Sequence, residues 1–176
     1  MKYIKEYNEY IDPFKEDDWD EVEPDGTFLT WLKIKYPDES KWKDITEIYC
    51  YSQKLTDLIG IEKLINLEKL SCGYNQLTEL DVTKNINLKG LSCHHNQLTE
   101  LDVSNNINLR YLYCDNNQFE LNISNNINLI SLTCFNNQLT KLNVSNNIKL
   151  KKLYCRNNQL KELNYYNNIN LKFLLK

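Results

Sequence analysis

Six cysteines and two adjacent histidines are the residues of this 176-residue chain whose side chains could do chemistry. Thiolates bind metals, close disulfides or act as nucleophiles, and an imidazole moves protons or holds a metal. The spacing decides against most of this. Cys50, Cys72, Cys93, Cys114, Cys134 and Cys155 follow one another at intervals of 22, 21, 21, 20 and 21 residues. Metal-binding cysteines come in close C-x₂₋₄-C pairs, which are absent here. His94 and His95 stand side by side, an arrangement that sends neighbouring side chains in different directions, and they read as exposed surface residues with weak metal affinity at most. The four glycines, Gly26, Gly60, Gly73 and Gly90, form no phosphate-cradling loop, and no nucleophile stands beside an evident base. The chain reads as a non-enzyme that needs no cofactor and no metal.

The elements that must position these residues are set by the repeat. Aligned on the cysteines, the chain reads LEKLSCGYNQLTELDVTKNIN from Leu67 and LKGLSCHHNQLTELDVSNNIN from Leu88. LRYLYCDNNQFELNISNNIN follows from Leu109, one residue short; two further full units start at Leu129 and Leu150. A divergent first unit starts at Ile45 and a partial seventh, LKFLLK, at Leu171. About six and a fraction units at this period mean a solenoid. In each unit the leucine and cysteine two apart (Leu112 and Cys114) alternate with variable residues, as in a strand with one buried face. Asn75, Asn96, Asn117, Asn137 and Asn158 sit three residues after a cysteine, with Gln53 in the first unit, where an amide can serve backbone groups left unpaired by the turn. Leu77, Leu98, Phe119, Leu139 and Leu160 are assigned to the core, as are Val82, Val103, Ile123 and Val144, and Ile86, Ile107, Ile127, Ile148 and Ile169. The cysteines then become one stripe of small buried hydrophobes, because ladder neighbours ~4.8 Å apart are too far for an unstrained disulfide.

The pattern L-x-x-L-x-C-x-x-N-x-L resembles the leucine-rich repeat family, with cysteine where leucine is usual, in the cysteine-ladder form of bacterial, internalin-like repeats. The resemblance implies an α/β leucine-rich-repeat solenoid, a horseshoe with a parallel β-sheet on its concave face, whose usual role is protein binding. The Asn- and Ser-rich return legs, poor helix formers, predict turns or short 3₁₀ pieces on the convex face.

Residues 1–44 read as an acidic, partly helical N-terminal segment and cap, and residues 45–176 as the repeats. Thr27 can N-cap a helix carrying Phe28, Leu29, Trp31, Leu32 and Tyr36, stopped by Pro37. Tyr3, Ile4, Tyr7, Tyr10, Ile11 and Phe14 fall at spacings of three and four, predicting a short amphipathic helix up to Pro13. The run EDDWDEVEPD over 16–25 holds seven acids, as a solvated linker or a segment docking on a basic partner. No cap is visible at the other end, where Phe173, Leu174 and Leu175 lie on a terminal strand; an edge paired with another chain is one reading of it.

The net charge of −3 argues against a general nucleic-acid binder. With no secretory signal and no run of about 20 apolar residues, no membrane association and a cytoplasmic location are expected. The variable residues of the strands are the candidate binding surface. Tyr111, Tyr113 and Phe135 form its centre, flanked by His94, Tyr154 and Arg156. Rings on a rigid sheet suit recognition of a protein or peptide. The alternative is an assembly unit stacking end to end: residues 1–44 carry 7 basic and 13 acidic residues, residues 141–176 carry 8 basic residues and Glu162.

Overall fold

The structure, a computed structural model, describes residues 26–175. The helix expected up to Pro13 and the acidic run 16–25 lie outside these residues. Each repeat contributes one three-residue strand to the main sheet, too short to stand alone, and the coils stack so that each strand finds a partner one repeat away. The strands are β1 (Glu47–Tyr49), β2 (Lys69–Ser71), β3 (Gly90–Ser92), β4 (Tyr111–Tyr113) and β5 (Ser131–Thr133), then β6 (Lys141–Asn143), β7 (Lys152–Tyr154), β8 (Glu162–Asn164) and β9 (Phe173–Leu175). Seven of them form one sheet in the order β1-β2-β3-β4-β5-β7-β9. All its pairs are parallel, with Ile48, Leu70, Leu91, Leu112, Leu132, Leu153 and Leu174 in one register row. Strands β6 and β8, from two return legs, pair separately. The other return legs are turns, with a single 3₁₀ turn at Ile61–Lys63.

The ladder outlasts the strands. Cys72, Cys93 and Cys114 donate their backbone N–H to the carbonyls of Ser92, Tyr113 and Thr133 at 2.8–2.9 Å. At the next turn the backbone goes left-handed at Tyr74, His95, Asn116, Asn136 and Asn157, with φ between 50° and 55°. Asparagine tolerates this conformation better than other side chains.

Side-chain amides then tie coil to coil. In the first ladder, Asn96 Nδ2 donates to the carbonyls of Cys72 and Cys93 at 3.0 Å, while its Oδ1 accepts from the N–H of Leu77. Asn75, Asn117 and Asn158 do the same in their coils. Asn137 keeps its two donor bonds, to Cys114 and Cys134, but not the bond from the preceding coil's N–H, because that coil lost a residue just after Phe119. A second, fully internal ladder was not foreseen from the sequence. Asn85, Asn106, Asn126, Asn147 and Asn168, in the return leg, are buried, and each donates both amide hydrogens to carbonyls of the preceding coil.

The core assignment needs one correction. The core leucines, valines and cysteines of the repeats named above are buried except Leu160, which is only partly so, but Ile86, Ile107, Ile127 and Ile148 stand 52–54% exposed and Ile169 more so. Each follows directly on a buried asparagine of the second ladder. The turn that sends the amide inward faces the next side chain outward.

At the start of the chain, helix α1 (Phe28–Lys35) buries Phe28, Trp31 and Leu32 in the common core. Thr27 stands at its N-cap, but its hydroxyl bonds the Thr30 hydroxyl and makes no bond to the helix backbone. Trp31 Nε1 donates to Gln53 Oε1 at 3.2 Å, and Gly26 O accepts from Thr56 N and Oγ1 at 2.8 and 3.0 Å, tying this end to the first coil. No helix among the described residues is long and apolar enough to cross a membrane.

The second ladder sets a stability prediction. Asn106→Ala leaves the carbonyls of Val82 and Asn85 buried without their donor, so urea denaturation is expected to show a loss of about 2–4 kcal/mol. Asn108→Ala removes only an exposed bond to Ile86 O and is expected to cost about 0.5 kcal/mol or less.

Candidate functional site

The cysteines are six free, buried thiols. Burial pushes each titrating thiol from Cys50 to Cys134 well above its ordinary value, so none offers a thiolate at neutral pH. Cys72 and Cys114 point their Sγ at the carbonyls of Ser92 and Thr133, 3.5 Å away in the next coil. A thiol fits this narrow layer as a small hydrophobe with a weak donor. Among the described residues no three histidine, cysteine or acidic side chains gather where they could hold a metal.

What remains is the sheet face. Strand alternation turns Leu112 and Cys114 into the core and leaves Tyr111, Tyr113 and Asp115 on the other side. Across the strands this side carries three rows. One runs Glu47, Lys69, Gly90, Tyr111, Ser131, Lys152, and the next Tyr49, Ser71, Ser92, Tyr113, Thr133, Tyr154. The third follows the cysteines: Tyr51, Gly73, His94, Asp115, Phe135, Arg156.

Two ring clusters form here. At the β1–β3 end, Tyr74 stacks on His95 with centroids 4.1 Å apart and meets His94 edge-on at 5.2 Å, while Tyr51 lies 5.0 Å from Tyr74 and 5.8 Å from His94. His94 is therefore not the exposed residue the sequence suggested. It is buried beneath these rings, with Nδ1 2.8 Å from Ser92 Oγ. Gly73 makes the room: a Cβ there would lie 2.8 Å from the His94 ring. At the other end Arg156 sits over the Phe135 ring at 5.6 Å. Glu47, bonded by Lys69 at 2.7 Å and by the Tyr49 hydroxyl, has its carboxyl held below the ordinary range by those two partners.

The expected binding residues thus divide. Tyr111 is 37% exposed, and Phe135, Tyr154 and Arg156 are half-buried. His94 and Tyr113 are buried. Sequence reasoning missed Tyr51 and Tyr74 as partners of His94. The signal was the glycine in the coil beside the only histidines.

Two outcomes follow from this geometry. Cys114→Ser is expected to lower stability by about 1–3 kcal/mol, since a hydroxyl replaces a buried thiol; the six buried thiols of the native protein are expected to stay silent to a thiol reagent and to react in denaturant. His94 gives the pH dependence. Burial, with His95 beside it, pulls its imidazole from the ordinary 6.5 down to about 4. Between these values the unfolded chain binds the proton and the folded one does not, so stability falls as pH drops from about 6.5 to about 4. Thermal melts across this range are expected to show a shallower fall in His94→Gln.

No family model matches the chain. Among curated proteins, Internalin J of Listeria monocytogenes is 41% identical over 45 residues, which is 26% of this chain and 5% of that protein. Among solved structures, the functional domain of that internalin, described as including a cysteine ladder, is 32% identical with a TM-score of 0.51, over 77% of this chain and 40% of that one. A leucine-rich-repeat protein of Leptospira interrogans is 28% identical with a TM-score of 0.71, over 78% of this chain and 38% of its own. The chain spans less than half the length of each. The period, the parallel register and the six core cysteines agree with these likenesses: the chain is a solenoid of stacked parallel strands with a cysteine ladder in its core, similar to the leucine-rich repeats of internalin-like proteins.

Proposed function

We propose that this solenoid is a non-enzymatic module that binds a protein or peptide through the concave face of its parallel sheet. One observation carries the reading. In the register rows that face the core the residue hardly changes, from Ile48 through Leu174 and from Cys50 through Cys155, whereas the three outward rows change type at nearly every coil. The core rows are constrained by stacking; the outward rows are not, and hold tyrosine, phenylalanine and arginine, the side chains that dominate binding energy at interfaces.

The contact residues in this reading are Tyr111, Phe135, Tyr154 and Arg156; His94 and Tyr113 lie on the same face but are buried. Their rings are presented on backbone fixed by ladders on both sides, so little entropy is lost when a partner closes on them. The likeness to leucine-rich-repeat structures supports a protein-interaction role in general terms.

The test is a pull-down from the native host with the full chain as bait. Tyr111→Ala and Phe135→Ala are expected to release a partner that the unsubstituted chain retains, each weakening binding by about tenfold or more. Their thermal midpoints are expected to stay close to that of the unsubstituted chain. A partner held equally by both variants places binding elsewhere.

A further inference from the structure

We infer that the return legs form a second, apolar interface whose partner is a second copy of this chain running in the opposite direction. The observation is one outward position that is apolar in every coil. Ile65, Ile86, Ile107, Ile127 and Ile148 stand 52–54% exposed, and Ile169 90%. The outward positions before them are polar up to the fifth coil: Thr83, Ser104, Ser124 and Ser145 in one row, Lys84, Asn105, Asn125 and Asn146 in the next. The demand that turns the preceding asparagine inward explains why this side chain faces out. It does not explain why the side chain is isoleucine, since an exposed turn is served as well by a polar residue.

The stripe has a geometry that a copy of itself matches. One isoleucine per coil sets neighbours about one strand spacing apart, ~4.8 Å. Exposed amides fix that interval: Asn87, Asn108, Asn128 and Asn170 donate to the carbonyls of Ile65, Ile86, Ile107 and Ile148 at 3.1–3.3 Å. β-branched side chains are stiff at χ1, so little freedom is lost when they are covered. No residue of 104–108 or 124–128 is charged. A partner must offer apolar side chains at the same interval over five coils. A second copy does so by construction, and two identical rows can interdigitate across a two-fold axis.

Area and charge agree with that occupant. A half-exposed isoleucine, somewhat smaller than an aromatic ring, offers on the order of 80 Å². The six together offer about 500 Å², as much as the largest apolar patch of a typical monomer. With the amide rows on either side, the ribbon reaches the ~800 Å² per partner of a stable interface. Charge sets the direction. Lys149, Lys151 and Lys172 are exposed beside the last coils of the stripe, and Glu62 and Glu68 stand beside its first. A parallel pair would crowd the lysines of both copies at one end; an antiparallel pair sets them opposite the glutamates. Joined in this way, the two copies leave both sheet faces open, so a partner with two sites is held with avidity. That consequence rests on the sheet-face reading, whereas the dimer does not.

The experiment uses the full chain and no ligand, so its outcome is separate from that of the pull-down. Sedimentation equilibrium is expected to show a dimer at tens of micromolar that persists in 1 M salt, because exposed charge pairs add little to an apolar contact. A chain carrying Ile107→Asn and Ile127→Asn is expected to dissociate at least about tenfold more readily, and one carrying Ile107→Lys and Ile127→Lys about a hundredfold. Both keep the thermal midpoint of the dilute unsubstituted chain, since these side chains face outward. For the direction, a spin label is placed on Asn66→Cys, the native thiols being buried. Pulsed electron spin resonance is expected to read about 20 Å or more between the labels of an antiparallel pair, four or five coil spacings. A chain that stays monomeric at several hundred micromolar overturns the proposal. So does a dimer that both double variants leave unchanged, or one that dissolves in salt as end-to-end stacking would. Labels closer than about 15 Å mean a parallel pair and overturn it too.

Discussion

The interaction on which this structure depends is an asparagine amide reaching back one coil to a backbone carbonyl. A solenoid of such short strands pairs only part of its backbone through the sheet, and the turns between would bury carbonyls with no donor. Asn96 answers Cys72 and Cys93, and Asn106 answers Val82 and Asn85, on opposite sides of the same core. An outer row adds exposed bonds, from Asn87 to Ile65, Asn108 to Ile86 and Asn128 to Ile107. Because each bond spans neighbouring coils, it forms only when both are in place, which makes stacking cooperative and gives the repeat its near-constant period.

That division of labour frees the sheet face. Core positions must be leucine, valine or cysteine, and turn positions asparagine, whatever the protein does. The outward rows carry no such duty, so side chains there can change without disturbing the stack. His94 shows the limit of this freedom. Its ring is accommodated only because Gly73 leaves room and Tyr51 and Tyr74 close over it, so three coils constrain one side chain. The outward face is thus a set of local clusters rather than independent points, and a change at one coil is felt by the next.

Much of this was legible in the sequence because it is periodic. The phase of the six cysteines named the strands, their buried side and their register, and the asparagine three residues later named the turn. Periodicity also misled. Ile86, Ile107, Ile127 and Ile148 recur as faithfully as the core leucines and were assigned to the core on type and phase, yet they face solvent. The inward position of that turn belongs to the preceding asparagine, whose amide has carbonyls to satisfy; a hydrogen-bonding demand overrode hydrophobicity. His94 and Tyr113 failed differently. Strand alternation assigned them to the sheet face correctly, but alternation says nothing of what lies above the sheet. Burial there depends on contacts between residues about 20 apart or more, which no local pattern encodes.

The one short unit shows how far the ladder tolerates error. Losing a residue after Phe119 removes the bond from that coil's N–H to Asn137 Oδ1, yet Asn137 keeps its bonds to Cys114 and Cys134, and β4 pairs with β5 in unbroken register. Compensation comes from a different quarter. Glu120 accepts from both the N–H and the hydroxyl of Thr140, at 2.8 and 2.6 Å, bridging the same two coils from outside. The sheet and the internal Asn126–Asn147 ladder, on either side of the defect, hold the spacing. A coil is therefore held by several parallel rows of bonds, and any one can lapse at a single step without changing the period. It follows that the strain of a deletion is confined to the return leg, and that the face presenting Tyr111 and Phe135, on either side of the short unit's junction, keeps the register on which recognition would depend.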